Sequence, residues 1–254
     1  MATKTYLQLI NKVLVNLRES TVVDLSATYT NLIGEFVNVA KEAVEDKWHW
    51  RALSGNLTFT TTNNQISQAL TNAAGVTLST SLNYPDDRSA ITQDSNGFYQ
   101  VYDTTAASSG GLIQLGKYER EAGYAQYLLN QALGTTQANP TAFAYALEAD
   151  VPTLYFSAPA VAGRSILARM YIPQPELVLT TDKMYCPWRP VVSFATFLAL
   201  QERGEELGTS ADLYLSRYND ELTRAVENDR DGSYDQLRVD GSVYLNSTNL
   251  IDGM

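Results

Sequence analysis

Two stretches with helical apolar spacing lie at opposite ends of this chain, Thr5 to Trp50 and Trp188 to Glu227. A region rich in Thr and Ser, with strand-like alternation, separates them. An amphipathic helix has to bury its stripe against another element, and neither end has the helices to close a core alone. The two ends are therefore expected to pack on each other. The fold class that follows is α+β: a discontinuous α-helical bundle of N- and C-terminal helices, a large inserted antiparallel β domain and an extended C-terminal tail. The expected boundaries are 1–53 for the first helical part, 54–183 for the β insertion with a short helix, 184–230 for the second helical part and 231–254 for the tail.

Thr5 is placed to N-cap the first helix, with Gln8 at the capping-box position and Tyr6, Leu9, Ile10, Val13, Leu14 and Leu17 on one face. After a breaker stretch, Glu19 to Ser26, a second helix is expected to run to about Trp50. Its stripe is Leu32, Ile33, Phe36, Val37, Ala40, Val44 and Trp48, and Trp48 is expected to anchor it. Glu35, Lys41, Glu42 and Glu45 read as its solvated outer side. The second helical part begins near Trp188 and runs to Glu206, with Gly208 ending it. Its apolar coverage, including Phe194 and Phe197, is wide enough for a central helix. Thr209 or Ser210 then caps a last helix with Leu213, Tyr214, Tyr218, Leu222, Ala225 and Val226 inward. The expected helical core anchors are Phe36, Val44, Trp48, Trp188, Phe194 and Phe197.

From Ser54 the composition shifts to Thr, Ser, Asn and Gly, and Leu57-Thr58-Phe59-Thr60 starts a period-two alternation. Further strands are expected within Gly75–Leu82, Phe98–Thr104, Leu112–Leu115, Thr153–Ser157 and Ser165–Ile172, and a short helix between Glu119 and Leu133. Beyond Glu227, the residues Tyr234, Leu237, Val239, Val243, Tyr244 and Leu245 are scattered among polar ones without a helical period. Aromatics in such a segment suggest that it docks on a partner or a neighbouring subunit.

Lys and Arg number 18 against 28 Asp and Glu, a net charge of -10, which opposes tight binding to phosphate backbones or anionic lipid and makes a basic groove unexpected. No apolar run is long enough to span a bilayer, the polar start of the chain lacks the apolar core of a secretion signal, and the single cysteine, Cys186, reads as a small core residue. Gly111-Leu112-Ile113-Gln114-Leu115-Gly116-Lys117 has phosphate-loop spacing, but Tyr118 stands where a magnesium-binding hydroxyl belongs. The acidic stretch 227–235 echoes a calcium loop, with Arg238 in place of its bidentate glutamate. His49 has no partners in sequence for a metal cluster or a triad, and Asp86-Asp87 reads as a turn. No catalytic, cofactor-binding or metal-binding residues are assigned, and the chain is not expected to be an enzyme.

The order of elements resembles the head-to-tail adaptor proteins of tailed bacteriophages, called tail tubular protein A in short-tailed phages. The resemblance rests on the helix Tyr6-Leu7-Gln8-Leu9-Ile10-Asn11 and the block Ala43-Val44-Glu45-Asp46-Lys47-Trp48-His49-Trp50. To these it adds the sheet segment from Asn139-Pro140-Thr141-Ala142-Phe143 to Arg169-Met170-Tyr171-Ile172-Pro173, and the helical pair after it. It implies a structural virion protein at the head–tail junction, assembled in the host cytoplasm. The protein would form a homo-oligomeric ring of twelve that docks on the portal, offers a platform to the nozzle or tail tube, and extends the DNA ejection channel. DNA would pass without specific binding. Tyr234, Leu237, Val239, Val243, Tyr244 and Leu245 become the candidate contact with the portal or a neighbour. The alternative is a phage tail protein that binds or degrades glycans, which would use the tyrosines of the β region as stacking faces.

Overall fold

The computed structural model describes residues 3–71, 76–78, 85–94, 96–105, 112–117, 138–204 and 209–239, without the side chains of 209 and 231–239. The fold is mixed α+β with antiparallel sheets, and four α-helices lie among the described residues. The chain divides into two compact units, Met1–Trp50 with Glu176–Met254, and Arg51–Pro175. The second boundary precedes the expected one at 184 because the segment after Pro175 is tied to the N-terminal helices by hydrogen bonds.

In the first unit, β1 (Lys4–Thr5) pairs antiparallel with β12 (Lys183–Met184). Helix α1 (Tyr6–Asn16) follows directly. Its Thr5–Gln8 capping box is present, and the amides of Tyr6 and Leu7 donate to the carbonyls of Asp182 and Thr180 at 2.8 and 3.3 Å. N–H groups that a helix start leaves unpaired are thus satisfied locally and by the returning chain. All six apolar residues expected on its inner face are buried. The loop that follows is held by Asn11, whose amide group donates to the Val22 carbonyl at 2.9 Å and accepts from the Val22 N–H at 2.7 Å.

Helix α2 (Thr28–Glu45) ends five residues before the expected Trp50. Its end is sealed by Trp50, almost fully buried, whose Nε1 donates to the Val44 carbonyl at 2.9 Å and so satisfies an orphan of the last turn. Trp48 is half-buried and outside the helix, and its Nε1 donates to Asp229 Oδ2 at 2.9 Å. The core anchor is therefore Trp50, not Trp48. Of the other expected anchors, Val44 is fully buried, whereas Phe36, Trp188, Phe194 and Phe197 are only half-buried. Gly34 lets α1 and α2 approach: a Cβ there would collide with the Tyr6 hydroxyl.

Helix α3 (Trp188–Glu202) packs against α1, α2 and α4 (Thr209–Val239), which makes it the central helix of the unit. Pro190 sits in its first turn, where a missing N–H breaks no helical bond. Arg203 and Gly204 (φ 75°) end it before the expected Glu206. In α4 the buried positions Ala211, Tyr218 and Ala225 recur at seven-residue steps, a narrower stripe than expected, and Leu213 is 64% exposed. Phe194 stacks on Tyr218 at 4.7 Å between ring centroids. Helix α4 continues through Val239 where an extended tail was expected from 231, so Tyr234, Leu237 and Val239 lie on helical backbone. Val243, Tyr244 and Leu245 lie outside the described residues, as does the short helix expected between Glu119 and Leu133.

The second unit is built on two sheets. One runs β4 (Val76–Leu78), β2 (Ser54–Thr60), β11 (Ser165–Tyr171), β6 (Val101–Asp103), β7 (Ile113–Gln114), with β5 (Ala90–Ile91) also pairing with β11. The other runs β3 (Gln65–Ala69), β10 (Val151–Ala160), β9 (Ala142–Glu148), β8 (Gly116–Lys117). Among the described strands every pairing is antiparallel except β8 with β9, and an isolated parallel bridge joins Ala138 to Ala160. The predicted alternation of β2 holds, with Gly55, Leu57 and Phe59 inward. Phe59 from one sheet meets Phe156 from the other at 6.2 Å in a shared core. Arg164 forms an ion pair with the buried Asp103, and its Nε donates to Asp103 Oδ2 at 2.7 Å. The β9–β10 hairpin turns on Ala149 and Asp150, both with positive φ (47° and 66°), although neither is glycine.

Two outcomes follow. Trp50→Ala lowers stability by about 3 to 5 kcal/mol, whereas Trp48→Ala costs about 1 kcal/mol, the scale of one lost hydrogen bond, and urea titration of the two variants separates them. Ala149→Gly relieves a left-handed strain of about 1 kcal/mol and raises the melting temperature. A lowered melting temperature would show that the turn does not hold Ala149 at positive φ.

Candidate interaction site around Trp188

Trp188 is the first residue of α3 and follows Pro187, whose extended backbone (φ −60°, ψ 118°) starts the helix without a side-chain cap. The indole is therefore presented at a helix end, half-buried. Three cations face it: Lys12 Nζ of α1 at 5.1 Å from the ring centroid, the Arg189 guanidinium at 5.6 Å and Lys4 Nζ of β1 at 5.8 Å. Each such contact draws a positive group to the negative face of the ring by about 0.5 to 2 kcal/mol, depending on how dry it is. The β1–β12 pairing and the capping box fix where Lys4 stands, and the packing of α1 on α3 fixes Lys12.

Two grooves share Trp188 and Arg189. One, of about 510 Å³, is lined also by Pro187, Pro190, Arg224 and Ala225; the other, of about 300 Å³, by Lys12, Val15, Val192 and Arg217. Glu221 borders both. Its carboxylate accepts from Ser193 Oγ at 2.7 Å and lies 3.6 Å from Arg217 Nε. The site thus combines an aromatic plate, apolar walls and five basic side chains around one carboxylate that is already engaged. It suits a partner surface that is both acidic and apolar. A net charge of -10 argued against any basic groove; the tertiary structure gathers these cations from β1, α1, α3 and α4.

The largest departure from the sequence reading lies in α2. Lys41 and Glu45, read as solvated, are both fully buried, with Lys41 Nζ 3.3 Å from Glu45 Oε2 and 3.5 Å from Oε1. The inward arc of α2 is wide because α1 and α3 both pack on it, and Asn38 on the same arc grips the Leu177 backbone. Four-residue charge spacing reads alike on a solvated face and in a core, so sequence could not separate them. Cys186 lies near this pair. Burial, and after it the negative charge of Glu45, pushes its thiol far above the usual range, which keeps it neutral and agrees with a core role.

The remaining motifs resolve as backbone features. Asp86 Oδ1 accepts from the Arg88 N–H and the Ser89 hydroxyl, closing a turn. Ile113-Gln114 and Gly116-Lys117 of the phosphate-loop look-alike are strands, and Lys117 Nζ lies 3.8 Å from the Tyr99 ring centroid. The calcium-loop look-alike is continuous α4 backbone as far as Val239, not a loop. His49 is exposed. Among the described residues no group of three His, Cys, Asp or Glu is placed to hold a metal ion, and no helix is long and apolar enough to cross a membrane.

No protein-family model matches the chain, and no curated protein matches it.

The buried pair gives a sharp test. Lys41→Met removes the buried ammonium that faces the Glu45 carboxylate and lowers stability by about 3 to 5 kcal/mol, while Lys41→Met with Glu45→Leu recovers most of the loss. Chemical denaturation of both variants checks this; a single variant as stable as the parent would place the pair in water.

Proposed function

We propose that this chain is a structural virion protein, the adaptor ring that joins a phage portal to the tail and extends the DNA ejection channel. It acts without catalysis or cofactor, at the head–tail junction of the virion after assembly in the host cytoplasm. The observation that carries the reading is a recognition surface, the Trp188 plate with its cations, on helices arranged in the order that resembles the head-to-tail adaptors. An aromatic flanked by arginines and lysines, with apolar walls, suits contact with another protein surface. The acidic remainder of the chain supports a channel wall along which DNA moves without being held. The ring has twelve copies, the β-rich unit serves the nozzle or tail tube, and the segment after Val239 meets the portal or a neighbouring subunit.

The portal complex tests this. Electron microscopy of the purified chain mixed with the portal of the same virion is expected to show a ring seated coaxially on the portal. A chain lacking residues 240–254 keeps its circular dichroism and melting behaviour but no longer attaches. Normal attachment of the shortened chain would move the portal contact onto the helices, and failure of the full chain to attach would end the adaptor reading.

A further inference from the structure

Lys12 Nζ, the Arg189 guanidinium and Lys4 Nζ crowd one indole. No two of these groups, at 5.1, 5.6 and 5.8 Å from the Trp188 ring centroid, are more than about 12 Å apart, close to the screening length of roughly 10 Å at physiological salt, so they repel one another. Arg224 lines the wider groove and is exposed, as are Lys12 and Arg189. Among the described residues Lys4, Lys12, Arg189 and Arg224 form no ion pair. The one carboxylate that borders the grooves, Glu221, is already engaged by Ser193 and Arg217, and the first turn of α3 carries no acid. The described residues therefore leave this positive charge unneutralised.

We propose that the Trp188 grooves dock an acidic peptide segment of another protein, with an aliphatic or aromatic side chain on the indole and carboxylates reaching into both grooves. The inference deepens the adaptor reading, which this surface carries, by naming the chemistry of the partner. Charge sets the sign: carboxylates are drawn to Lys4, Lys12, Arg189 and Arg224, and a basic segment is refused. The walls set the class. Pro187, Pro190 and Ala225 in one groove and Val15 and Val192 in the other offer apolar contact beside the cations. A segment that mixes acids with Leu, Ile or Phe covers such walls, whereas a sugar–phosphate chain leaves them wet. Single-stranded nucleic acid is tracked by successive aromatic platforms, and here one indole serves both grooves. Because Trp188 and Arg189 are common to the two, the indole is the anchor whose loss costs most.

Fluorescence anisotropy with the full chain provides the test. The probe is a short labelled peptide that repeats Glu-Leu-Glu-Ser; one relative replaces Glu by Lys, another replaces Leu by Ser, and a labelled oligothymidine stands for nucleic acid. The acidic peptide is expected to bind at low salt and to weaken as salt rises, its Leu-to-Ser relative to bind about tenfold more weakly, and the lysine relative not to bind. Trp188→Ala, and separately Lys12→Glu with Arg224→Glu, are each expected to weaken binding roughly 30-fold. Lys12 and Arg224 are exposed, so the charge variant decides the matter even where Trp188→Ala melts early. An acidic peptide that fails to bind at low salt, or binds both variants like the parent, overturns the proposal. So does an oligothymidine that binds more tightly than the peptide and is lost in the same variants. Self-association of the parent, seen by sedimentation velocity and abolished by either variant, makes a second copy the occupant and overturns it too. If the peptide fails while the parent seats as a ring on the portal, this inference falls and the adaptor reading stands; peptide binding by a chain that never seats on the portal does the reverse.

Discussion

The helical unit depends on how a late part of the chain is held by an early one. Asn38, buried on α2, donates through Nδ2 to the Leu177 carbonyl at 3.1 Å and accepts the Leu177 N–H through Oδ1 at 3.0 Å. A side-chain amide that pairs both groups of a backbone residue satisfies two buried polar groups at once, and removing it would leave both without partners in a dry setting. Beside it, the carbonyls of Thr180 and Asp182 cap α1 and β12 pairs with β1. These contacts set the start of α3, and with it the place where Trp188 emerges.

The same packing explains the charge distribution. Because α2 is covered by both α1 and α3, its inward arc takes in Lys41 and Glu45 as well as the apolar stripe. A buried ion pair is weak support for stability, since desolvation offsets most of its attraction, but it tolerates few alternative packings. Here it also turns inward the one lysine or arginine that the sequence places between Thr28 and Asp46. Meanwhile Lys4, Lys12 and Arg189, separated widely in sequence, converge on one indole. An acidic chain thereby acquires a local basic surface, and its overall charge says little about what that surface will bind.

Much of the local structure was legible from short-range chemistry. Thr5 and Gln8 signalled their capping box, the spacing of Tyr6 through Leu17 signalled the inner face of α1, and the alternation at Leu57 and Phe59 signalled β2. The β9–β10 hairpin escaped because Ala149-Asp150 lacks the glycine or asparagine that usually marks left-handed turn residues; the strands on either side impose that conformation. The end of α2 was misplaced because Trp48 continues the apolar period by sequence, although the chain leaves the helix at Glu45 so that Trp50 can fold back onto Val44. Beyond Glu227 the low apolar content concealed a helix that α4 propagates to Val239.

By itself the sequence determined the amphipathic helices at both ends, the strand-rich middle and the α+β class, because periodicity and capping act over a few residues. The tertiary structure alone decided which indole is buried, whether the Lys41–Glu45 spacing lies in water or in the core, and that cations from β1, α1, α3 and α4 surround Trp188. Those outcomes depend on which faces are covered by elements far away in the chain, and burial of that kind leaves no mark on local spacing.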